Sequence, residues 1–87
     1  MKDYEKNLCY YFLDKDIWYF RLKTMWEGYK KMYEDEISVA YELFYEYLEV
    51  LIYNELGSLR YELGGFVLDV IQSLNYSEMG DFIIDFF

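Results

Sequence analysis

Three carboxylates spaced along one predicted helix are the residues of this sequence best placed to act on another molecule. Glu42, Glu46 and Glu49 recur at intervals of four and three residues. On a helix they fall within a narrow arc, with successive acids ~6 Å and ~4.5 Å apart along the axis. No lysine is interleaved to relieve their mutual repulsion, which costs a few tenths of a kcal/mol per pair. Such a stripe is typical of a surface that attracts a basic partner.

Tyrosines and further acids extend this predicted face. Tyr45 and Tyr53 lie beside the stripe and are expected to be exposed, where tyrosine rings often pair with arginine in protein interfaces. Three acids precede the helix, where they also complement the helix dipole, so a purely structural role explains these three better than the stripe. The predicted partner-binding residues are Glu34, Asp35, Glu36, Glu42, Tyr45, Glu46, Glu49 and Tyr53.

The charge of the chain is strongly negative and unevenly placed. Of the formal −9, residues 1–31 contribute +2, from 7 bases and 5 acids, and residues 32–87 contribute −11, from 12 acids and Arg60. Acids that only keep an aromatic-rich chain in solution are the simplest explanation, but the asymmetry favours a directed negative face. The same charge repels nucleic acid and anionic membranes, so neither is a predicted partner.

Enzyme chemistry has little support in this sequence. The absence of histidine removes the usual general base and the commonest metal ligand. Cys9 has no such partner and is expected to pack as a small apolar group. There is no phosphate-binding loop, dinucleotide fingerprint or calcium-loop spacing. We therefore predict no catalytic residue, no bound metal and no cofactor.

Helical periodicity dominates the second half of the chain. One helix is predicted at 36–55, ended by Gly57, with Ser58 capping a second helix at 59–74 that Gly64 and Gly65 interrupt. Ser77 is expected to cap a short final helix. The apolar stripe of the first of these helices consists of Ile37, Ala40, Tyr41, Phe44, Leu48, Leu51 and Ile52.

The N-terminal third allows two interpretations. Alternation after Ile17, with a turn at residues 14–16, is consistent with a β-hairpin at about 8–23. A longer helical stripe competes with it and is favoured by its length. That stripe runs through Trp18, Leu22, Met25, Trp26, Tyr29 and Tyr33. The predicted fold class is all-α, a small bundle of four to five short helices, with an α+β fold carrying the hairpin as the alternative.

Length and composition predict a single acidic helical domain at 1–87. Apolar residues make up 55% and aromatic residues 24%, a surplus that predicts either an aromatic core or an interface. A single cysteine and an N-terminus without a secretory pattern predict the cytoplasm. No stretch approaches the ~20 apolar residues of a membrane-spanning helix.

In length, acidity and amino-acid usage the chain resembles small acidic phage anti-defence proteins, namely anti-CRISPR proteins and anti-restriction DNA mimics. The resemblance is one of composition along the whole chain, and no motif carries a role to any residue. It implies a non-enzymatic inhibitor that occupies the basic nucleic-acid site of a CRISPR effector or restriction enzyme in the host cytoplasm. The alternatives are a homodimeric structural module whose acids only solubilise it, and an adaptor that binds through its C-terminal residues 81–87.

Overall fold

Six α-helices follow one another along the chain without a strand. A computed structural model describes the whole chain, residues 1–87. The helices are α1 (Asp3–Leu13), α2 (Asp16–Met32), α3 (Ile37–Gly57), α4 (Arg60–Leu63), α5 (Phe66–Ser73) and α6 (Tyr76–Ile84). The predicted all-α bundle is confirmed, with six helices where four to five were expected. The alternative hairpin at 8–23 is wrong, because those residues lie in α1 and α2 and in the short connection between them.

The stripe of α2 shows why the helix forms. Leu22 and Trp26 are buried one turn apart, and Trp18 and Tyr29 continue the same side as half-buried residues. Trp26 packs edge-on against Phe44 of α3, with ring centroids 5.7 Å apart. A strand would place Leu22 and Trp26 on one face but would leave Tyr29 on the other. The helical period therefore buries more aromatic surface.

Helix α3 is the centre of the bundle and packs against α2, α5 and α6. It begins one residue after the predicted start and ends two residues after the predicted last residue 55, because Gly57, predicted as its stop, is its last helical residue. Ile37 is the exception in the predicted stripe, because it opens the helix and is 46% exposed. The buried side of α3 consists of Ala40, Phe44, Leu48, Leu51 and Ile52.

The helix predicted at 59–74, interrupted by Gly64 and Gly65, is broken into two helices at these glycines. Gly64 has φ +88°, a left-handed conformation that glycine adopts without a Cβ clash, and it separates α4 from α5. Ser58 does not cap α4, because Leu59 occupies that position and the Ser58 hydroxyl turns back to the Glu55 carbonyl. Helix α4 has no buried residue.

The cap of α6 lies two residues before its predicted position. The Asn75 side chain accepts from the Glu78 backbone N–H at 3.1 Å, while the Ser77 hydroxyl donates to Asn75 Oδ1. Helix α6 then buries Met79 and Ile83 against α1 and α3.

Fourteen apolar side chains form one core, among them Cys9, which is fully buried as predicted. Burial raises the pKa of its thiol to about 12, with the negative charge of Glu5 adding to the effect. The C-terminal residues belong to this core as well, since Ile83 is fully buried and Phe87 meets Phe44 edge-on. Residues 81–87 are therefore part of the fold, and their separate removal without unfolding is not expected.

Candidate protein-binding face

The predicted stripe of α3 lies on the solvent side of the helix. Glu42, Glu46 and Glu49 are all exposed, whereas Phe44 and Leu48 point into the core. Helices α2, α5 and α6 pack against α3 and leave this strip exposed to solvent. The sequence placed these three carboxylates on one outward face, and the structure brings them together there.

A second acidic row runs along α6. Glu78, Asp81 and Asp85 are exposed and follow one another at intervals of three and four residues. At 100° per residue they span an arc of about 60°. The sequence shows this spacing, but it does not show that α6 packs beside α3 and places the row next to the carboxylates of α3.

Tyr45 fixes how the two rows align. Its hydroxyl donates to Asp81 Oδ1 at 2.5 Å, and its ring covers Gly80, where an added Cβ would lie 2.5 Å from the ring. An open depression of about 480 Å³ continues this contact to Tyr41 and Asp85. Residue numbers therefore rise along α3 as they fall along α6, so the helices are antiparallel.

This antiparallel packing sets the acids of the two helices at matching levels. Tyr45 lies beside Asp81, and Tyr41 lies near Asp85. Because both helices rise by the same distance per residue, the residues farther along them are matched in the same order. The resulting pairs of levels are Glu42 with Asp85, Glu46 with Asp81, and Glu49 with Glu78. We call these six residues the acidic face. The axes of packed helices lie about 8–10 Å apart, so the two rows of carboxylates are separated by a distance of this order.

The tyrosines predicted as exposed are half-buried instead. Tyr45 and Tyr53 both pack against the core. Burial raises the pKa of Tyr45, and the hydrogen bond to Asp81 raises it further, so the hydroxyl stays protonated and donates. Tyr45 therefore aligns the two rows, because its ring and hydroxyl are both engaged with α6.

The negative potential of the face extends over its flanks. Burial raises the pKa of Tyr76 at the start of α6, and the charge of Glu49 contributes to that shift. Burial also raises the pKa of Tyr29 on α2, with Tyr47 and Glu46 contributing. The carboxylates of α3 thus act on groups from both neighbouring helices.

The other three predicted acids form a separate cluster. Glu34, Asp35 and Glu36 are exposed and lie in the turn between α2 and α3. They line a depression of about 340 Å³ together with Lys31. Glu36 precedes Glu42 by about 9 Å of helix rise, so the cluster borders the acidic face without joining its rows.

The acidic face lacks neutralising bases. The only ion pair in the structure joins the amino terminus of Met1 to Glu78 Oε2 at 3.3 Å. Several cationic side chains lie over aromatic rings instead, with Arg21 on Trp18 at 4.9 Å as the shortest case. Five of the six carboxylates therefore face water without a basic partner.

The structure contains no group of three or more His, Cys, Asp or Glu side chains arranged to hold a metal ion. None of its helices combines the length and the apolar character needed to cross a membrane.

No protein-family model, curated protein or solved structure matches this chain.

One further carboxylate has the opposite environment. Glu5 is 3% exposed; its Oε2 accepts from the Asn75 backbone N–H at 2.7 Å and its Oε1 from that of Lys2 at 2.9 Å. These two hydrogen bonds lower the pKa of Glu5 against the opposing effect of burial, with the charge of Lys2 assisting. The residue ties the start of α1 to the start of α6. Sequence reasoning missed it, although Glu5, Cys9 and Phe12 follow a buried helical spacing.

Proposed function

We propose that this protein is a non-enzymatic inhibitor that binds the basic nucleic-acid-binding surface of a bacterial defence nuclease, of the CRISPR effector or restriction type. The acidic face would act there as a DNA mimic. One observation carries the proposal: α3 and α6 hold six exposed carboxylates in two level rows, of which only Glu78 is paired with a cation.

The charge density of the acidic face supports this reading. In each row the first and last carboxylates are seven residue steps apart, which is ~10.5 Å of helix, so the face carries about one carboxylate per 2 Å of its length. Duplex DNA carries one negative charge per about 1.7 Å of its axis, divided between two strands. A groove that binds two phosphate rows would therefore meet a similar density of charge in a similar two-row form.

The proposed mechanism is occupancy of the DNA site. Lysines and arginines that normally neutralise phosphates would pair with the carboxylates, while the aromatic flank supplied by Tyr53 would contact apolar parts of the site. Attraction between an acidic and a basic surface raises the association rate and weakens as salt increases. The proposed place of action is the cytoplasm of the host cell, where the target nuclease works.

A charge-reversal variant tests the proposal. Glu42→Lys, Glu46→Lys and Glu49→Lys together replace one whole row, and we expect at least a hundredfold loss of affinity for the target. The matched control is Asp14→Lys, Glu27→Lys and Glu62→Lys, which changes net charge equally at exposed sites away from the face. We expect the control to retain most of the affinity, because it keeps the carboxylates of the face. Its changed net charge affects only the long-range attraction that speeds association.

The measurement is displacement of labelled DNA from a panel of purified CRISPR effectors and restriction enzymes, with circular dichroism as the check on folding. If the parent displaces DNA from none of them, the proposed target class is wrong. If the row variant and the control lose the same affinity, the acids act only through net charge. Unchanged inhibition by a folded row variant would favour the alternative, in which the acids only keep the protein in solution.

A further inference from the structure

An open depression beside the acidic face combines carboxylates with aromatic rings. It has a volume of about 480 Å³ and lies where Tyr45 of α3 meets the last turn of α6. Its walls are two tyrosines, two aspartates and one isoleucine, and no basic residue lines it. The lining residues are Tyr41, Tyr45, Asp81, Ile84 and Asp85.

The two rings of the depression are held in place by their neighbours. The ring of Tyr41 lies 4.7 Å from that of Trp26 and 6.2 Å from that of Tyr45, measured between centroids. The hydroxyl of Tyr45 is fixed by its hydrogen bond to Asp81. Both tyrosines are half-buried. A ligand therefore meets walls that are already ordered, and its binding does not have to immobilise them.

Three sources of negative potential meet at this depression. Asp81 and Asp85 are exposed and four residues apart, which places two like charges on one side of α6. Both lie at the C-terminal end of that helix, where the helix dipole is negative as well. The faces of the tyrosine rings are the third source, because the face of an aromatic ring is its negative part.

No cation of the chain neutralises this potential. The only ion pair lies at the other end of α6, between the amino terminus and Glu78. The last turn of α6 contains no basic residue. Lysine and arginine side chains lie over five aromatic rings, but over neither Tyr41 nor Tyr45. A cation that relieves the repulsion between Asp81 and Asp85 must therefore come from another molecule.

We infer that the depression binds the guanidinium group of an arginine side chain on the partner, which rests on the proposed function for the identity of that partner. A guanidinium is planar and weakly hydrated, so it stacks on an aromatic face while donating parallel hydrogen bonds to a carboxylate. Tyr41 supplies the ring, and Asp85 supplies a carboxylate without a partner in the protein. The second oxygen of Asp81 accepts no hydrogen bond within the protein and is available as well.

Other cations fit these walls less well. A lysine ammonium is compact and strongly hydrated, so an aromatic and aliphatic wall favours it less than a guanidinium. A divalent metal ion takes six or more oxygen ligands, and no group of three or more acidic, His or Cys side chains is arranged to hold one. A preference for arginine over lysine is therefore the property that separates this site from a general negative surface.

Titration with two blocked amino acids tests the inference on the full chain alone. The probes are N-acetyl-arginine amide and N-acetyl-lysine amide, which carry the same charge and are added as chloride salts at equal ionic strength. Two-dimensional NMR follows the backbone amide signals. We expect the arginine probe to shift the signals of residues 81–85 and to bind at least threefold more tightly than the lysine probe.

One variant removes charge from the depression and another removes a ring. Asp85→Asn is expected to weaken arginine binding at least threefold. Its matched control is Asp69→Asn, which removes one exposed carboxylate from α5 and should leave the arginine affinity nearly unchanged. Tyr41→Leu keeps an apolar wall without the ring, so it should abolish most of the preference for arginine over lysine. The NMR spectrum of each variant without probe shows that it is folded.

Three results would overturn the inference. They are equal affinities for the two probes, arginine-induced shifts that lie elsewhere on the protein, and equal loss of affinity in Asp85→Asn and Asp69→Asn. No nuclease enters these titrations, so the inference can fail while the parent protein still displaces DNA from its target. The reverse result, an arginine preference without displacement from any nuclease, would refute the proposed target class and leave the arginine site standing.

Discussion

The start of α1 and the middle of α3 use the same Tyr-Glu dipeptide in opposite ways. At Tyr4-Glu5 the glutamate is 3% exposed and the tyrosine is 43% exposed. At Tyr45-Glu46 the tyrosine packs against α6 and the glutamate faces water. The first glutamate joins two helices by accepting backbone hydrogen bonds, whereas the side chain of the second takes part in no hydrogen bond or ion pair within the protein.

The difference shows that the phase of the helix, and not the dipeptide, decides what a carboxylate does. Glu5 lies on the side of α1 that carries Cys9 and Phe12 into the core. Glu46 lies on the side of α3 away from Phe44. A carboxylate that is needed for the fold and one that is free to bind a partner can thus be told apart by their effect on stability.

The largest expected effect is that of Glu5→Ala. The substitution removes a buried, charged acceptor, so the backbone N–H groups of Lys2 and Asn75 lose their hydrogen-bond partner. We therefore expect a decrease of about 1.5–3 kcal/mol in the free energy of unfolding. Urea denaturation followed by circular dichroism measures it. Glu46→Ala is the control and is expected to change stability by less than about 0.5 kcal/mol. Equal effects would contradict the contrast between the two regions.

Glu5 should also make the stability of the protein depend on pH, by at most the free energy that is lost in Glu5→Ala. Because its pKa is lowered in the folded state, ionised Glu5 stabilises the protein above its ordinary pKa of 4.5, and this contribution is lost as pH falls through the folded pKa. Thermal unfolding of the parent and of Glu5→Gln should therefore differ most at neutral pH. We expect the difference to narrow below pH 4.5; a constant difference down to pH 3 would argue against the assigned role.

Gly80→Ala is expected to cost about 1–2 kcal/mol. Its Cβ would meet the Tyr45 ring at 2.5 Å, and the cost of overpacking exceeds the gain in helix propensity. In a Tyr45→Ala background the clash disappears, so the same substitution should become neutral or slightly stabilising. A double-mutant cycle by urea denaturation measures this coupling, and its absence would contradict the close packing of α3 on α6.

Tyr45→Phe removes only the hydroxyl and is expected to cost about 0.5–1.5 kcal/mol through the lost hydrogen bond to Asp81. Tyr53→Phe is the matched control on the same helix, and no hydrogen bond of its hydroxyl is present to lose. We expect the two variants to separate in thermal unfolding, with Tyr45→Phe melting lower. The reverse order would show that Asp81 does not hold the alignment of the two acidic rows.

The smallest effect has the opposite sign. Glu46→Gln relieves repulsion from Glu42 and Glu49, so it should stabilise the protein by a few tenths of a kcal/mol at low salt. Added salt should erase the gain, because it screens exposed charges. A destabilisation of about 1 kcal/mol would instead show that Glu46 contributes to the fold, and the free acidic face would lose one member.

Local periodicity was sufficient for the helices and insufficient for the contacts between them. The buried side of α3 and its end near Gly57 follow from residues close in sequence, and the sequence predicts the first except for Ile37 and the second to within two residues. The hydrogen bond of Glu5 to Asn75 spans 70 positions, and no local pattern contains it. Likewise, Glu46 and Asp81 lie at the same height along the two helices only because of how α6 packs along α3. Tyr45 was expected to be exposed because the helix was considered alone.

Gly64 has a consequence for how the molecule opens. It interrupts the backbone between α4, which buries nothing, and α5, so little packing resists a local separation of residues 60–65. Segments with few buried contacts exchange their amide hydrogens through partial openings that cost far less than global unfolding. The α4 amides should therefore exchange early, while those of α3 report the stability of the whole protein.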